Sequence, residues 1–332
     1  MTLNRRTLLI AMAGSALTGC AAAGRGGPAA TAPAPVTGAA GTAAAVEQAS
    51  AATGAASGVR TAIPSAAPSA TEAGPATPSA TEAGPATPSA TPPTAGRLPT
   101  RAELVERYGG TAPAEWGLEV SGVITELPDG ERATALTFDA CGGPGGNGYD
   151  ADLIDFLRAN AVPATLFLNA RWIDANPDVF EQLAGDPLFE IGNHGTAHRP
   201  LSVTGRSAYG IAGTDGVGAV HDEVAGNAQK LAGLLGHPVR FFRSGTAHYD
   251  DVATRIVADL GERVAGFTVN GDGGATLGAA QVRQEVAAAP PGSIVIGHLN
   301  HPGGGTAPGV AAAVPGLLAA GRRFVRLSDV LG

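Results

Sequence analysis

The chain has 332 residues, a formal net charge of -8, 49 Gly, 25 Pro, 2 Cys and 5% aromatic residues. The acidic balance leaves no basic footprint for nucleic acid, two cysteines exclude a disulfide framework, and the length suits one large domain or two small ones. Proline is densest before residue 100, so a floppy front is expected ahead of a folded back.

Residues 1–20 read as an export signal, with Arg5 and Arg6 leading an apolar stretch from Leu8 to Leu17 that is too short to span a bilayer. Leu17-Thr18-Gly19-Cys20 looks like a bacterial lipobox, in which Cys20 would carry a lipid anchor. An ordinary signal peptide cut in the following Ala run is the alternative. Asn4-Arg5-Arg6-Thr7-Leu8-Leu9 also resembles a twin-arginine signal. Residues 21–96 are mostly Ala, Pro, Thr, Ser and Gly with almost no large apolar side chains, a composition that cannot bury enough surface to offset its ordering entropy. Ala70–Ser79 is repeated letter for letter as Ala80–Ser89, too short a unit for a solenoid. The segment is therefore expected to be a disordered tether. Residues 97–130 are transitional, with a short helix over Arg101–Tyr108 and a weak strand over Gly117–Leu127.

From residue 131 short apolar runs alternate with amphipathic ones. Strands are expected at Thr134–Phe138, Ala164–Leu168, Leu188–Ile191, Val239–Phe242, Val264–Val269, Ser293–Gly297 and Arg323–Leu327. Helices are expected at Asp150–Asn160, Ala219–Leu235, Val252–Leu260, Ala279–Ala288 and Val310–Ala320. Such alternation predicts an α/β fold with a parallel sheet and helices outside, and seven strands suit a closed or nearly closed (β/α)7 barrel over 131–332. An open doubly wound sheet is the alternative.

The polar residues follow the strands. Asp139 ends the first, Asn169 the second, His194 and His198 the third, Arg243 the fourth, Asp272 the fifth and His298 the sixth. In a parallel barrel these ends share the face where loops build an active site. His194 and His198 are four apart, so on a helical turn both rings reach one cation. A divalent metal there, zinc first, lowers the pKa of a coordinated water toward about 7 and polarises a carbonyl oxygen. Hydrolysis then needs a base and an acid. Asp139 is placed as the base, Arg243 to orient it, and His298 as the acid, since an imidazolium donates near neutral pH. For each there is a plainer account: paired surface histidines, a capping Asp139, a structural Arg243 ion pair.

These residues carry a resemblance. Ala135-Leu-Thr-Phe-Asp139, Glu190-Ile-Gly-Asn-His194 through His198, Phe242-Arg243 and Gly292-Ser-Ile-Val-Ile-Gly-His298 look like successive motifs of the polysaccharide deacetylase family, carbohydrate esterase family four. The resemblance implies a distorted (β/α) barrel that removes N-acetyl groups from an N-acetylhexosamine polymer such as peptidoglycan or a chitin-like chain. It implies Asp139 as base, His194 and His198 as metal ligands, His298 as acid, and Arg243 and Asp272 as the family's Arg and motif-four acid.

Three departures stand out. Where the family usually has a second Asp as third ligand, this chain has Ala140, so the ligand is sought at Cys141, Asp150 or Asp139 itself. The base rate for free cysteines favours reading Cys141 as a buried structural residue instead. Ser244-Gly-Thr-Ala-His248 replaces a Pro-rich turn, and Leu299-Asn-His301-Pro-Gly-Gly-Gly305 extends the last motif. Both bring histidines toward the mouth, as substrate groups, ligands or plain surface. His221 and His237 are read as surface residues.

Three rivals remain. Gly143-Pro-Gly145-Gly146-Asn-Gly148 matches a dinucleotide fingerprint, but the next strand ends at Asn169 rather than an acid. A non-catalytic wall-glycan-binding lipoprotein is supported by Ala140, and an amidase of a small C–N substrate would share the chemistry. Tyr149, Trp172, Tyr209 and Tyr249 are the aromatics available for sugar stacking, with Tyr149 and Tyr249 nearest the strand ends.

Overall fold

The computed structural model describes residues 97–332, which lie within a unit running from Ala86 to Gly332. The export signal, the lipobox at Cys20 and the tether over 21–96 lie outside the described residues.

Local signals set many boundaries. Thr100 accepts from the Glu103 amide while Glu103 reaches back to the Thr100 amide, a reciprocal cap that starts α1 (Arg101–Tyr108). Two short strands follow, β1 (Trp116–Gly117) and β2 (Val123–Ile124), where the sequence reads as one weak strand. The chain then alternates through β3 (Ala135–Ala140), α2 (Ala151–Ala159), β4 (Ala164–Leu168), α3 (Ala170–Ala175), α4 (Pro177–Ala184), β5 (Phe189–Asn193) and α5 (Val217–Leu235). It continues with β6 (Phe241–Phe242), β7 (Tyr249–Asp250), α6 (Asp251–Asp259), β8 (Arg263–Ala265) and β9 (Val269–Asn270). The last elements are α7 (Ala279–Ala288), β10 (Ile294–His298), α8 (Thr306–Ala319) and α9 (Leu327–Leu331). α5 buries Val220, Val224 and Leu231 at helical spacing and stops at Gly236, whose φ of 76° favours glycine.

Eight strands form one parallel sheet in the order β2-β8-β6-β5-β4-β3-β10-β9, while β1 pairs antiparallel with β7. The apolar run Val264–Val269, expected as one strand, is split. Gly266 donates to the Ile124 carbonyl, the Thr268 hydroxyl to Thr125, and the Thr268 amide to Ile294. The split run crosses from β8 on one side of the sheet to β9 on the other and curls it into the distorted (β/α) barrel, with eight strands rather than seven. The strand expected at Arg323–Leu327 is a single bridge from Phe324 to Thr134. There Asp329 accepts from the Arg326 amide and starts α9 instead.

Successive strand residues point to opposite faces. On β3, Leu136 and Phe138 join the layer under α2, α7 and α8, while Ala135 faces inward with Phe167, Phe241, Ala265 and Ile294. Leu127, Ala133, Val325 and Leu327 complete this inner cluster. Thr137 and Asp139 lie two and four residues above Ala135 on the same inward row, so Asp139 emerges at the carboxyl end of a filled barrel.

Candidate metal and hydrolytic site

Arg243, immediately after β6, is fully buried. Its Nε donates to the Ala265 carbonyl at 3.0 Å and its Nη2 to Gly266 at 2.8 Å. Its Nη1 donates to Thr137 Oγ1 at 2.9 Å and to Asp139 Oδ1 at 2.8 Å. Phe167 lies under the guanidinium, 4.3 Å from its ring centroid. Split between β8 and β9, the chain thus offers its carbonyls to Arg243, and Arg243 fixes Asp139. Asp139 Oδ2 points the other way, 3.6 Å from His194 Nε2.

The segment from His194 to His198 is not the helical turn expected. Gly195 (φ 75°) and His198 (φ 61°) are both left-handed, which a right-handed helix excludes. Side chains from elsewhere hold this loop. Glu223 accepts from the Ala197 and Arg199 amides, Asn169 donates to the His194 and Gly195 carbonyls, and Asn193 Oδ1 accepts from Gly195. Asn193 is itself held by Asn227 and Glu262.

The loop still brings both imidazoles together, with centroids 5.0 Å apart and planes at 83°. His194 Nδ1 lies 3.0 Å from the Arg243 carbonyl oxygen. A carbonyl only accepts, so the proton is assigned to Nδ1 and Nε2 is left with its lone pair. Among the described residues His198 Nε2 is buried with no hydrogen-bond partner. Cys141 Sγ is 3.9 Å from His194 Nε2, and the donor atoms of Cys141, His194 and His198 all lie within 4.8 Å of one another. Burial pushes the Cys141 thiol up, but the neighbouring His194, His198 and His298 imidazoles outweigh it and hold the thiol well below its ordinary range. An orphaned imidazole nitrogen beside a second imidazole and a thiol is a donor set that fits zinc. Asp150 is absent from this group, because its Oδ1 caps α2 by accepting from Leu153. Asp139 is held by Arg243 and is likewise outside it.

β10 pairs with β3 so that His298 sits beside Asp139. Asp272 accepts from the His298 backbone amide at 2.7 Å and from His298 Nδ1 at 3.0 Å, and Thr306 Oγ1 donates to it at 2.9 Å. Burial pushes the His298 pKa down, but the Asp272 charge and hydrogen bond and the neighbouring Cys141 outweigh this and raise it well above 6.5. Burial pushes Asp272 up, while the His298 charge and hydrogen bond more than reverse it.

Among the aromatics expected for stacking, Trp172 is buried and donates to the Gly148 carbonyl, and Tyr149 packs against it. Tyr249 is also buried, its hydroxyl accepting from the Ser244 amide. Only Tyr209 of the four is exposed. The glycine-rich loop supports Cys141: a Cβ at Gly142 would meet the Trp172 nitrogen at 2.5 Å, and Arg171 donates to the Cys141 carbonyl. His301 contacts Asn300, His221 pairs with Asp222, and His237 is exposed. Thr306, Glu223, Asn227 and Glu262 were not singled out by sequence. Each acts from a distant helix or loop, with no local pattern to mark it.

An inward carboxylate clamped by arginine, a three-donor cluster, and a carboxylate-backed histidine at one barrel mouth define a hydrolase-type site. Residues 126–265 match the family model described as polysaccharide deacetylase. No curated protein matches the chain in sequence. Among solved structures it resembles BA3943, a family 4 carbohydrate esterase pseudoenzyme from Bacillus anthracis. The identity is 20% over 64% of this chain and 70% of that one, with a TM-score of 0.54. It also resembles the Bc1960 peptidoglycan N-acetylglucosamine deacetylase, at 21% identity over 63% and 92%, with a TM-score of 0.52. A third is PdaA of Bacillus subtilis, a family 4 carbohydrate esterase, at 19% identity over 69% and 88%, with a TM-score of 0.52. At these identities the likenesses speak for the fold.

Proposed function

We propose that this protein is a zinc-dependent N-deacetylase of an N-acetylhexosamine polymer, with Cys141, His194 and His198 holding the metal. The observation that carries the reading is the pairing of Asp139 with His298 on adjacent strands, beside the three-donor cluster. The metal, when bound, polarises the acetamide carbonyl and acidifies water. Asp139 Oδ2, aimed away from Arg243, takes the proton of the attacking water. His298, protonated and held through Nδ1 by Asp272, gives a proton to the leaving nitrogen. The C–N bond breaks, acetate leaves and the free amine stays on the sugar.

Ala140 favours a second reading, a non-catalytic glycan binder, and one structural relative is described as a pseudoenzyme. A binder needs neither an arginine-clamped carboxylate nor a carboxylate-backed histidine, and both pairs are assembled here. Zinc-loaded protein should release acetate from peptidoglycan or chitin oligomers. Bound zinc without acetate from either would leave the binder. Cobalt-loaded protein should show a thiolate-to-cobalt charge-transfer band that Cys141→Ser removes; an unchanged spectrum would displace Cys141 as ligand.

The location proposed is the cell envelope, on the strength of Arg5, Arg6, the Leu8–Leu17 apolar stretch and Cys20. Labelled palmitate should enter the chain and be lost in Cys20→Ala; no labelling would remove the anchor.

A further inference from the structure

Three segments converge beside the donor cluster without supplying a donor to it. The loop over 199–216 leaves directly from His198, on the carboxyl side of β5. The loop over 244–248 leaves from Arg243, on the carboxyl side of β6, and a Cβ at Gly245 would lie 2.3 Å from the His198 carbonyl carbon. β1, which precedes the family-matched residues, is brought to the same mouth by pairing with β7, Trp116 opposite Asp250.

On these segments sits an aromatic group. The His248 ring is 5.8 Å from Trp116 and 5.1 Å from Tyr209, edge-on to the latter at 89°. The exposed Arg206 guanidinium lies 4.8 Å from the Trp116 centroid. Tyr209 is 57% exposed and occupies a conformation that bulky residues avoid. It is the first of two left-handed residues, φ 51° followed by 75° at Gly210, in a tight turn closed by reciprocal Ala208 and Ile211 backbone bonds. Turns of this shape favour Asn, Asp or Gly at that place. The turn itself does not call for a tyrosine, whose ring lies edge-on to His248 and is largely open to solvent.

We propose that Tyr209, His248 and Trp116, with Arg206, form a sugar-stacking subsite that holds a hexosamine ring of the polymer adjacent to the one being deacetylated. This rests on reading the barrel as a polysaccharide deacetylase. The apolar C–H face of a pyranose matches an exposed aromatic face, and the Arg206 donors and the His248 ring supply polar contacts at its edge. The loop seated against His198 makes the surface continuous with the cluster that would hold the acetamide.

The chain has two tryptophans, and Trp172 is fully buried, so a glycan-dependent change in emission reports on Trp116. Full-length zinc-loaded protein is titrated with chito-oligosaccharides and with soluble peptidoglycan fragments. At least one should change the emission. Tyr209→Asn suits the left-handed turn and keeps the fold. It should nevertheless weaken oligomer binding and raise KM for the oligomer about tenfold, with kcat nearly unchanged and turnover of a monomeric acetylated sugar unaffected. Tyr209→Phe should retain binding. An unmoved emission with both glycans, or an unchanged KM in Tyr209→Asn while acetate is still released, overturns the subsite and leaves the deacetylase standing. An emission change lost in Tyr209→Asn, without acetate release, keeps Tyr209 as a glycan-stacking residue and removes the deacetylase.

Discussion

Glu262 offers a test of the network beneath the His194–His198 loop. Its side chain is 4% exposed and accepts from Asn193 Nδ2 through both carboxyl oxygens, at 3.1 and 3.0 Å. Burial pushes its pKa from 4.5 to about 8, against a partial lowering by the Asn193 bond. Between those values the native protein keeps a proton that the unfolded chain has lost. Stability therefore falls as pH rises through that window and levels off above it. At about 1.36 kcal/mol per pKa unit, the ceiling on this loss is roughly 4–5 kcal/mol. Glu262→Gln imitates the protonated acid and removes the slope. The variant should match the parent near pH 4.5 and exceed it by about 2 kcal/mol or more at pH 8–9, read from urea unfolding followed by circular dichroism. A variant equally or less stable at every pH, or a gap independent of pH, would refute the neutral buried acid.

Asp139→Asn should reduce acetate release by about 10²–10⁴ while bound zinc, measured by elemental analysis, stays near parent content, because Asp139 is outside the donor cluster. Asp272→Asn removes the charge that raises His298, leaving burial to lower it, so the alkaline limb of the kcat profile should move to lower pH. An unmoved limb would detach His298 from the acid role. Gly245→Ala, with its Cβ driven against the His198 backbone, should cost about 1–3 kcal/mol in thermal unfolding and weaken zinc affinity in a chelator competition.

The sequence was most legible where a local period carried the information. β3, β4, β5 and β10 are short apolar runs buried on both faces, and α1 matches its expected bounds because Thr100 and Glu103 spell out its start. The split between β8 and β9 was invisible, because Gly266 and Thr268 break the run by bonding to β2 and its neighbour and to β10, all distant in the chain. The His194–His198 spacing pointed to the right residues through the wrong backbone. Gly195 admits a left-handed turn, but it is Glu223, some 25 residues on, that stabilises it. Trp116 carried no signal at all, since its position depends on the pairing of β1 with β7.

Arg243 faces two ways. Its guanidinium grips the Asp139 carboxylate while its own carbonyl receives the His194 ring proton. The proposed proton acceptor and one proposed metal donor are thereby bolted to a common mount. When a bound polymer tugs on the barrel rim, both would travel together, and the gap between them, on which bond cleavage depends, would be the last dimension to change.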